Sequence, residues 1–153
     1  MQSPEKNPAG CNCLALRQAA RHVTQIYDQF LAPSGMRATQ YSILARLSRR
    51  GSMTINALAS ELVMDRTTLG RNILPLRRDG LIAVARGGVD RRSKELRLTR
   101  SGEARVRAAF ECWQQAQAQF ESSFGAGRAK ALRALARDVA LSDPGAVAPV
   151  DKD

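Results

Sequence analysis

Apolar residues recur every three or four positions in two stretches at the start of the chain, which is the pattern of amphipathic helices. The first predicted helix spans about 11–31 and is ended by the segment APSG at 32–35. The second spans about 39–50 and ends at Gly51. Their apolar faces are formed by Leu16, Ala19, Val23, Ile26 and Phe30 in the first helix and by Tyr41, Leu44 and Leu47 in the second.

Two shorter helices are predicted between Thr54 and Gly80. Thr54 and Asp65 are residue types that cap helix N-termini. Each precedes a segment whose apolar residues recur at helical spacing. Gly80 is expected to end the second of these helices in a left-handed conformation. Pro75 lies inside that helix, where proline removes one hydrogen bond and favours a kink. The inward faces are predicted to be Ile55, Leu58, Ala59 and Leu62 in the first and Leu69, Ile73 and Leu76 in the second.

Two alternating segments, LIAVA at 81–85 and ELRLT at 95–99, have the period of half-exposed strands. Gly87 and Gly88 permit a turn between them, so a hairpin is predicted. The residues expected to face the core are Leu81 or Ile82, Val84, Leu96 and Leu98.

Two further helices are predicted after the hairpin. Ser101 is the expected cap of a long helix that ends near Glu121, and a last helix spans about 126–141. The apolar stripe of the long helix is Val106, Phe110, Trp113, Ala116 and Phe120. Short helices followed by a hairpin describe a winged helix-turn-helix, so the expected fold is mainly α with a small β component (α+β).

Positive charge is concentrated in this predicted unit. The chain carries 24 lysines and arginines against 14 aspartates and glutamates, a net charge of +10. Ten of the basic and four of the acidic residues lie between Asp65 and Arg100, a local net charge of +6. Such a balance favours a polyanionic partner, either a nucleic acid or an anionic membrane surface. A basic face that is merely solvated is the alternative, and the concentration of the charge around one helix and one hairpin argues against it.

The helix that begins after Asp65 carries side chains suited to reading DNA. With its apolar residues turned inward, the outward residues are mostly Arg66, Thr67, Thr68, Arg71 and Asn72. Arginine can bond guanine, asparagine can bond adenine, and threonine hydroxyls can contact phosphates. An ordinary solvated helix, capped by the same aspartate, is the alternative interpretation.

The tip of the hairpin projects a pair of arginines, Arg91 and Arg92. Arginines on a projecting loop can enter a narrow minor groove, where negative potential is focused. Asp90 is predicted to brace one arginine guanidinium. A loop that only increases solubility is the alternative.

The segments MTINALASELVMDRTTLGRNILPLRRDGL at 53–81 and DRRSKELRLTRSG at 90–102 resemble the MarR family of bacterial transcription regulators. The resemblance implies a homodimer that binds a double-stranded, roughly palindromic operator, usually as a repressor. It also implies dimerisation helices at about 11–32 and 101–141 around a winged helix-turn-helix at about 38–100. The whole would form one domain over 11–141, between flexible tails at 1–10 and 142–153.

Regulators of this family often bind a small aromatic carboxylate or phenol between the dimerisation and DNA-binding regions. The candidate effector residues in this sequence are Arg17, His22, Tyr41 and Arg46, with Arg17 as a partner for a carboxylate. Surface charges, a half-buried histidine and a core tyrosine are the alternative interpretation.

The first helix also resembles that of the organic-hydroperoxide sensors within the family. Cys13 falls on the reactive cysteine and Tyr27 on one tyrosine that hydrogen-bonds it, whereas Ala38 stands at the second tyrosine position. A redox-responsive repressor is therefore an alternative to one released by an acid. Packing of Cys13 as a small apolar side chain is the simpler interpretation.

Other function classes find little support in the sequence. Three cysteines and the single His22 predict neither a disulfide scaffold nor a metal site, and no cofactor motif is present. No paired acid and base or nucleophile motif indicates an enzyme. Without a long apolar run or a signal-peptide core, we expect a cytoplasmic protein with no membrane partner. A non-specific architectural DNA-binding protein remains a further alternative.

Overall fold

The computed structural model describes residues 10–88, 90 and 92–142. The predicted tails therefore lie outside the described residues, except for Gly10 and Ser142. The chain divides into two compact units, Met1–Ala118 and Gln119–Asp153. Among the described residues, no helix combines the length and apolar character needed to cross a membrane.

The first unit contains the predicted run of helices at nearly the predicted bounds. These are α1 (Asn12–Leu31), α2 (Ala38–Arg50), α3 (Ile55–Leu62), α4 (Arg66–Arg78) and the start of α5 (Arg100–Phe124). A short 3-10 turn, Ala32–Ser34, follows α1, and Gly35 ends it at a φ of 71°. The break predicted for this segment is thereby confirmed.

The predicted caps of α3 and α4 are confirmed. Thr54 accepts the amide hydrogen of Ala57, and Asp65 accepts that of Thr68. The turn between the two helices places Val63 at a φ of 51°, which a β-branched residue rarely adopts. Helix α4 continues through Pro75, whose nitrogen has no hydrogen to donate to the preceding turn.

A three-stranded antiparallel sheet has the order β1-β3-β2. The two predicted strands are β2 (Ile82–Arg86) and β3 (Lys94–Leu98), in a register that pairs Val84 with Leu96. The strand β1 (Met53–Thr54), which sequence analysis missed, pairs its Met53 with the same Leu96. Two residues are too few to show an alternating pattern. The winged helix-turn-helix architecture, mainly α with a small sheet, is confirmed.

The start of α5 corrects one prediction. Its N-cap is Thr99, whose hydroxyl accepts the amide hydrogen of Gly102 at 3.0 Å, and not Ser101. The same hydroxyl donates to the carbonyl oxygen of Gly80, just beyond the end of α4. The Thr99 amide donates to the carbonyl oxygen of Leu81 at 3.1 Å. The sequence could not favour Thr99 over Ser101, because both residue types cap helices well.

The core of the first unit lies between α2, α3, α4 and the sheet. Its largest fully buried side chains are Leu31, Ile43, Leu44, Leu47, Leu58, Leu69 and Leu76. Both strand alternatives, Leu81 and Ile82, are buried, whereas Val84 and Leu98 are partly buried against the core. The first half of α1 is different, because its predicted apolar residues Leu16 and Ala19 are exposed.

The second unit contains the end of α5 and all of α6 (Ala126–Leu141), at the predicted bounds of the last helix. Phe120 and Phe124 stack on each other, and the Arg128 guanidinium lies 4.2 Å from the centre of the Phe124 ring. Arg133 pairs with Glu121 at 2.8 Å. The large apolar side chains of α6 that remain exposed are Leu132, Leu135, Val139 and Leu141.

Candidate nucleic-acid interface

Helix α4 has one buried face and one basic, exposed face. Leu69, Ile73 and Leu76 are buried, as predicted from their spacing. The exposed residues at spacings of four, three and four are Thr67, Arg71, Leu74 and Arg78. Because these residues share one side of the helix, we call them the outward face of α4.

The start of α4 is held by a carboxylate with two hydrogen bonds from one residue. Asp65 accepts the Thr68 amide at 2.8 Å and also the Thr68 hydroxyl. These bonds stabilise the charged form and hold the pKa of Asp65 below its usual value. Asp65 and Thr68, both predicted site residues, are therefore bonded to each other, while Arg66 and Thr67 are exposed beside them.

Asn72 has a different arrangement from the one expected of an adenine reader. Its side-chain amide donates to the carbonyl oxygen of Thr68 at 2.9 Å, and the residue is only half exposed. One of its two amide hydrogens is thus bonded within the helix. Sequence analysis could not detect this bond, because it depends on the side-chain rotamer of Asn72 and not on the spacing of residue types.

The loop between β2 and β3 is a closed turn. Gly87 donates its amide hydrogen to the Ser93 carbonyl at 2.8 Å, and the Ser93 amide donates to the Asp90 carbonyl at 3.0 Å. The Asp90 carboxylate accepts the backbone amide of Arg92 at 2.9 Å. Among the described residues no ion pair joins Asp90 to the Arg92 guanidinium, so Asp90 orders the turn through the backbone. Arg91 lies outside the described residues.

A cavity of about 370 Å³ lies between α4 and the sheet. Its apolar lining is Ile55, Ile73, Leu74, Val84 and Leu96, and its basic lining is Arg66, Arg77 and Lys94. None of the described residues lining this cavity is acidic, and we call it the cationic groove. Sequence analysis missed Arg77 and Lys94, although both belong to the basic stretch that it identified.

A second cavity, of about 360 Å³, lies between α2, the end of α3 and α5. Three aromatic residues line it. The Trp113 ring stacks on the rings of Phe110 and Tyr41, with ring centres 5.7 Å and 6.3 Å apart, respectively. Burial raises the pKa of the Tyr41 hydroxyl, so it remains a hydrogen-bond donor at neutral pH. Arg46 and Arg49 also line this cavity, which we call the aromatic cleft.

The structure separates the four predicted effector residues. Tyr41 and Arg46 line the aromatic cleft, whereas Arg17 and His22 are exposed on α1 and do not line it. Arg46 is also engaged with Glu61 of α3, which lies 3.2 Å from Arg46 and 3.0 Å from Arg50. The Glu61 oxygen that faces Arg46 accepts no hydrogen bond, so the contact between these two residues is an ion pair only.

The predicted redox residues lie far apart on one helix. Cys11 caps α1 by accepting the Leu14 amide at 3.4 Å, and Cys13 lies exposed in the first turn. The Tyr27 hydroxyl donates to the side-chain oxygen of Gln117. Tyr27 follows Cys13 by fourteen positions along α1, or roughly 21 Å, so they do not bond within one chain. No described group of three or more histidine, cysteine or acidic residues could hold a metal ion.

Comparisons with known proteins agree with this architecture. The sequence pattern of the MarR family matches residues 36–94. A search of curated proteins gives no match. Among solved structures, the M. tuberculosis transcriptional regulator MosR in complex with DNA is 38% identical, with a TM-score of 0.70, over 86% of this chain and 99% of that one.

Two further solved structures share the fold at lower identity. BpsR of Bordetella bronchiseptica, whose DNA binding is regulated by 6-hydroxynicotinic acid, is 24% identical, with a TM-score of 0.78, over 92% of this chain and 100% of that one. A mutant of MarR from E. coli complexed with operator DNA is 19% identical, with a TM-score of 0.77, over 90% and 99%.

Regulators of this family are generally DNA-binding proteins without enzymatic activity. The match over most of both chains to MosR, together with the family pattern in the winged helix-turn-helix, identifies the family. This chain belongs to the MarR family of DNA-binding transcriptional regulators.

Proposed function

We propose that this protein is a homodimeric repressor of a palindromic operator that a small aromatic carboxylic or phenolic acid releases. The aromatic cleft is the observation that carries the proposal. It offers stacked aromatic walls, the hydroxyl of Tyr41 and the guanidinium of Arg49. An apolar cavity with a few polar groups is the usual form of a small-molecule site.

Each part of an aromatic acid has a chemically suitable partner in the aromatic cleft. Its ring would stack beside Trp113, and Tyr41 would donate a hydrogen bond to its carboxylate or phenol oxygen. Arg49 is exposed, and no ion pair is found for it among the described residues, so its guanidinium can take the carboxylate. Arg46 is engaged with Glu61 and is a weaker candidate than the sequence indicated. The acid that regulates BpsR, 6-hydroxynicotinic acid, has this chemistry.

A second copy of the chain is the proposed partner of two exposed apolar helix faces. On α1, Leu16 is 49% exposed, and on α6, Leu135 is 63% exposed. We interpret the exposed apolar surface of these two helices as the interface between the two copies. A twofold axis would place the two recognition helices roughly 34 Å apart, which matches two half-sites on one side of the duplex.

In this dimer α4 would enter the major groove and the hairpin would reach the adjacent minor groove. The proposed contacts on α4 are Arg66, Thr67, Thr68 and Arg71, with Asp65 as the cap and Asn72 in a supporting position. The proposed contacts of the wing are Arg91 and Arg92, with Asp90 ordering the turn. An effector that binds only one separation of the two helices would release the DNA.

The first test is a salt-titrated fluorescence anisotropy assay with the promoter region and a random duplex of equal length. We expect promoter-selective binding, a dimer by analytical ultracentrifugation, and release by at least one member of a panel of aromatic acids. Arg49→Gln should abolish this release without weakening DNA binding. Arg107→Gln, which changes another exposed arginine that does not line the cleft, should keep both.

Three outcomes would contradict parts of this proposal. Equal affinity for both duplexes would indicate a non-specific architectural protein instead of a repressor. A monomer at the concentrations that bind DNA would refute the homodimer. Release by an acid that Arg49→Gln does not affect would refute the aromatic cleft as the effector site.

Redox control through Cys13 is the second candidate, favoured by the exposure of this thiol at the start of α1. A hydroperoxide would transfer one oxygen atom to the Cys13 thiolate, which gives a sulfenate and leaves an alcohol. Release of DNA by an organic hydroperoxide, lost in Cys13→Ser and kept in Cys112→Ser, would support this function. Because Tyr27 of the same chain is too distant, its role would require the second copy.

A further inference from the structure

Leu74 is an exposed leucine among arginines. It is 61% exposed and lies on the outward face of α4, three residues after Arg71 and four before Arg78. Residues at these spacings are neighbours on a helix surface. Leu74 also lines the cationic groove, together with the apolar residues Val84 and Leu96. A branched apolar side chain therefore lies on the side of α4 that would face the major groove in the proposed complex.

The chemistry of the outward face limits what each side chain can recognise. Arginine donates to guanine, and threonine can bond either a phosphate or a base edge. Asn72 has one of its two amide hydrogens bonded to Thr68 and is only partly exposed, so it is less available to bond adenine. The one apolar group that a base presents in the major groove is the C5-methyl group of thymine.

We infer that Leu74 is a specificity-determining residue that contacts the methyl group of a thymine in each half-site. The inference rests on the proposed placement of α4 in the major groove. It adds a preference for thymine, which the arginines of α4 do not supply. Loss of the contact removes one buried methyl group from the interface, so the expected loss of affinity is about fourfold for each half-site.

The test compares thymine with deoxyuridine, which differs only by this methyl group. A duplex is first selected from a randomised pool with the full chain, and its thymines are then replaced one at a time. For the wild-type protein, we expect one replacement in each half-site to weaken binding by about fourfold. For Leu74→Ala the same replacement should have no effect, because the contact has already been lost.

Two variants keep the comparison independent of folding. Leu74→Met retains an apolar side chain and should retain most of the discrimination. Val63→Ala truncates an apolar residue that is 68% exposed in the turn before α4, and should discriminate like the wild type. Because each variant is measured against both duplexes, a general loss of stability or affinity cancels from the ratio.

The inference is overturned if no replacement affects the wild type, or if Leu74→Ala shows the same loss as the wild type. Arg71→Ala then shows whether the placement of α4 fails as well. If Arg71→Ala changes the preference for guanine, the recognition helix is correct and only the role of Leu74 is wrong. If it changes no preference, the proposed DNA contacts are also wrong.

Discussion

At Gly102, α5 packs closely against the backbone of Leu81, three residues after the end of α4, and we expect its replacement by alanine to destabilise the protein. A methyl carbon at Gly102 would lie 2.1 Å from the carbonyl oxygen of Leu81, whereas ordinary contacts begin at 3.4 Å. The backbone would have to move by more than an ångström, because the obstructing atom is not a flexible side chain. This movement would also disturb the hydrogen bond from the Thr99 amide to the same oxygen.

The expected cost combines overpacking, about 1–3 kcal/mol, with a weakened hydrogen bond of about 1 kcal/mol. For a chain of this size, each kcal/mol lowers the melting temperature by roughly 2–4 °C. We therefore expect Gly102→Ala to melt roughly 5–15 °C below the wild type, as measured by circular dichroism at a fixed protein concentration.

Gly70 provides a matched control for this prediction. It also lies in a helix, α4, but an added methyl carbon would meet no atom within 4 Å. Gly70→Ala should therefore gain up to about 1 kcal/mol from helix propensity and melt slightly above the wild type. A Gly102→Ala protein that melts at or above the wild-type temperature would refute the close approach of α5 to Leu81.

Three further changes test local features of the fold. Val63→Gly should raise the melting temperature by roughly 2–4 °C, because it removes about 1 kcal/mol of left-handed backbone strain, whereas Val63→Ala should not. Because the native pKa of Asp65 is lowered, its contribution to stability is complete above the usual value of 3.8 and is lost as the pH falls through the native pKa. Asp65→Asn should therefore reduce the change of melting temperature between about pH 5 and about pH 2, and an unchanged pH profile would contradict this. Thr99→Val should cost about 1 kcal/mol through loss of the cap, and Thr99→Ser should restore it in the same thermal assay.

The sequence predicted α3, α4 and the hairpin well because their signals are local. A cap such as Asp65 and an apolar spacing such as that of Leu69, Ile73 and Leu76 depend on the chain itself, and the structure confirms both. The last helix was also predicted at its bounds. The short strand β1 was missed because Met53 and Thr54 form a strand only by pairing with Leu96 and Glu95, which follow about forty residues later.

The candidate site could be predicted only where the residue type determines the chemistry. The basic character of the outward face of α4 could be predicted from the periodicity of its apolar residues. The hydrogen bond between Asn72 and Thr68 could not. The aromatic cleft joins Tyr41 to Trp113, which lie 72 positions apart in the sequence, through tertiary packing. Spacing on a single helix could not show that Arg17 and His22 do not line this cleft.

The contacts at the start of α5 connect a helix that lines the aromatic cleft with residues that follow α4. Thr99 bonds to Gly80 and Leu81, the residues that follow α4, and it also caps α5. The same helix α5 supplies Phe110 and Trp113 to the cleft. A ligand that shifts α5 relative to α2 would therefore act on the end of α4 through fixed hydrogen bonds and not through a flexible linker. Because Gly102 packs against Leu81 without space for one more carbon atom, a shift of α5 toward Leu81 would have to move Leu81 as well.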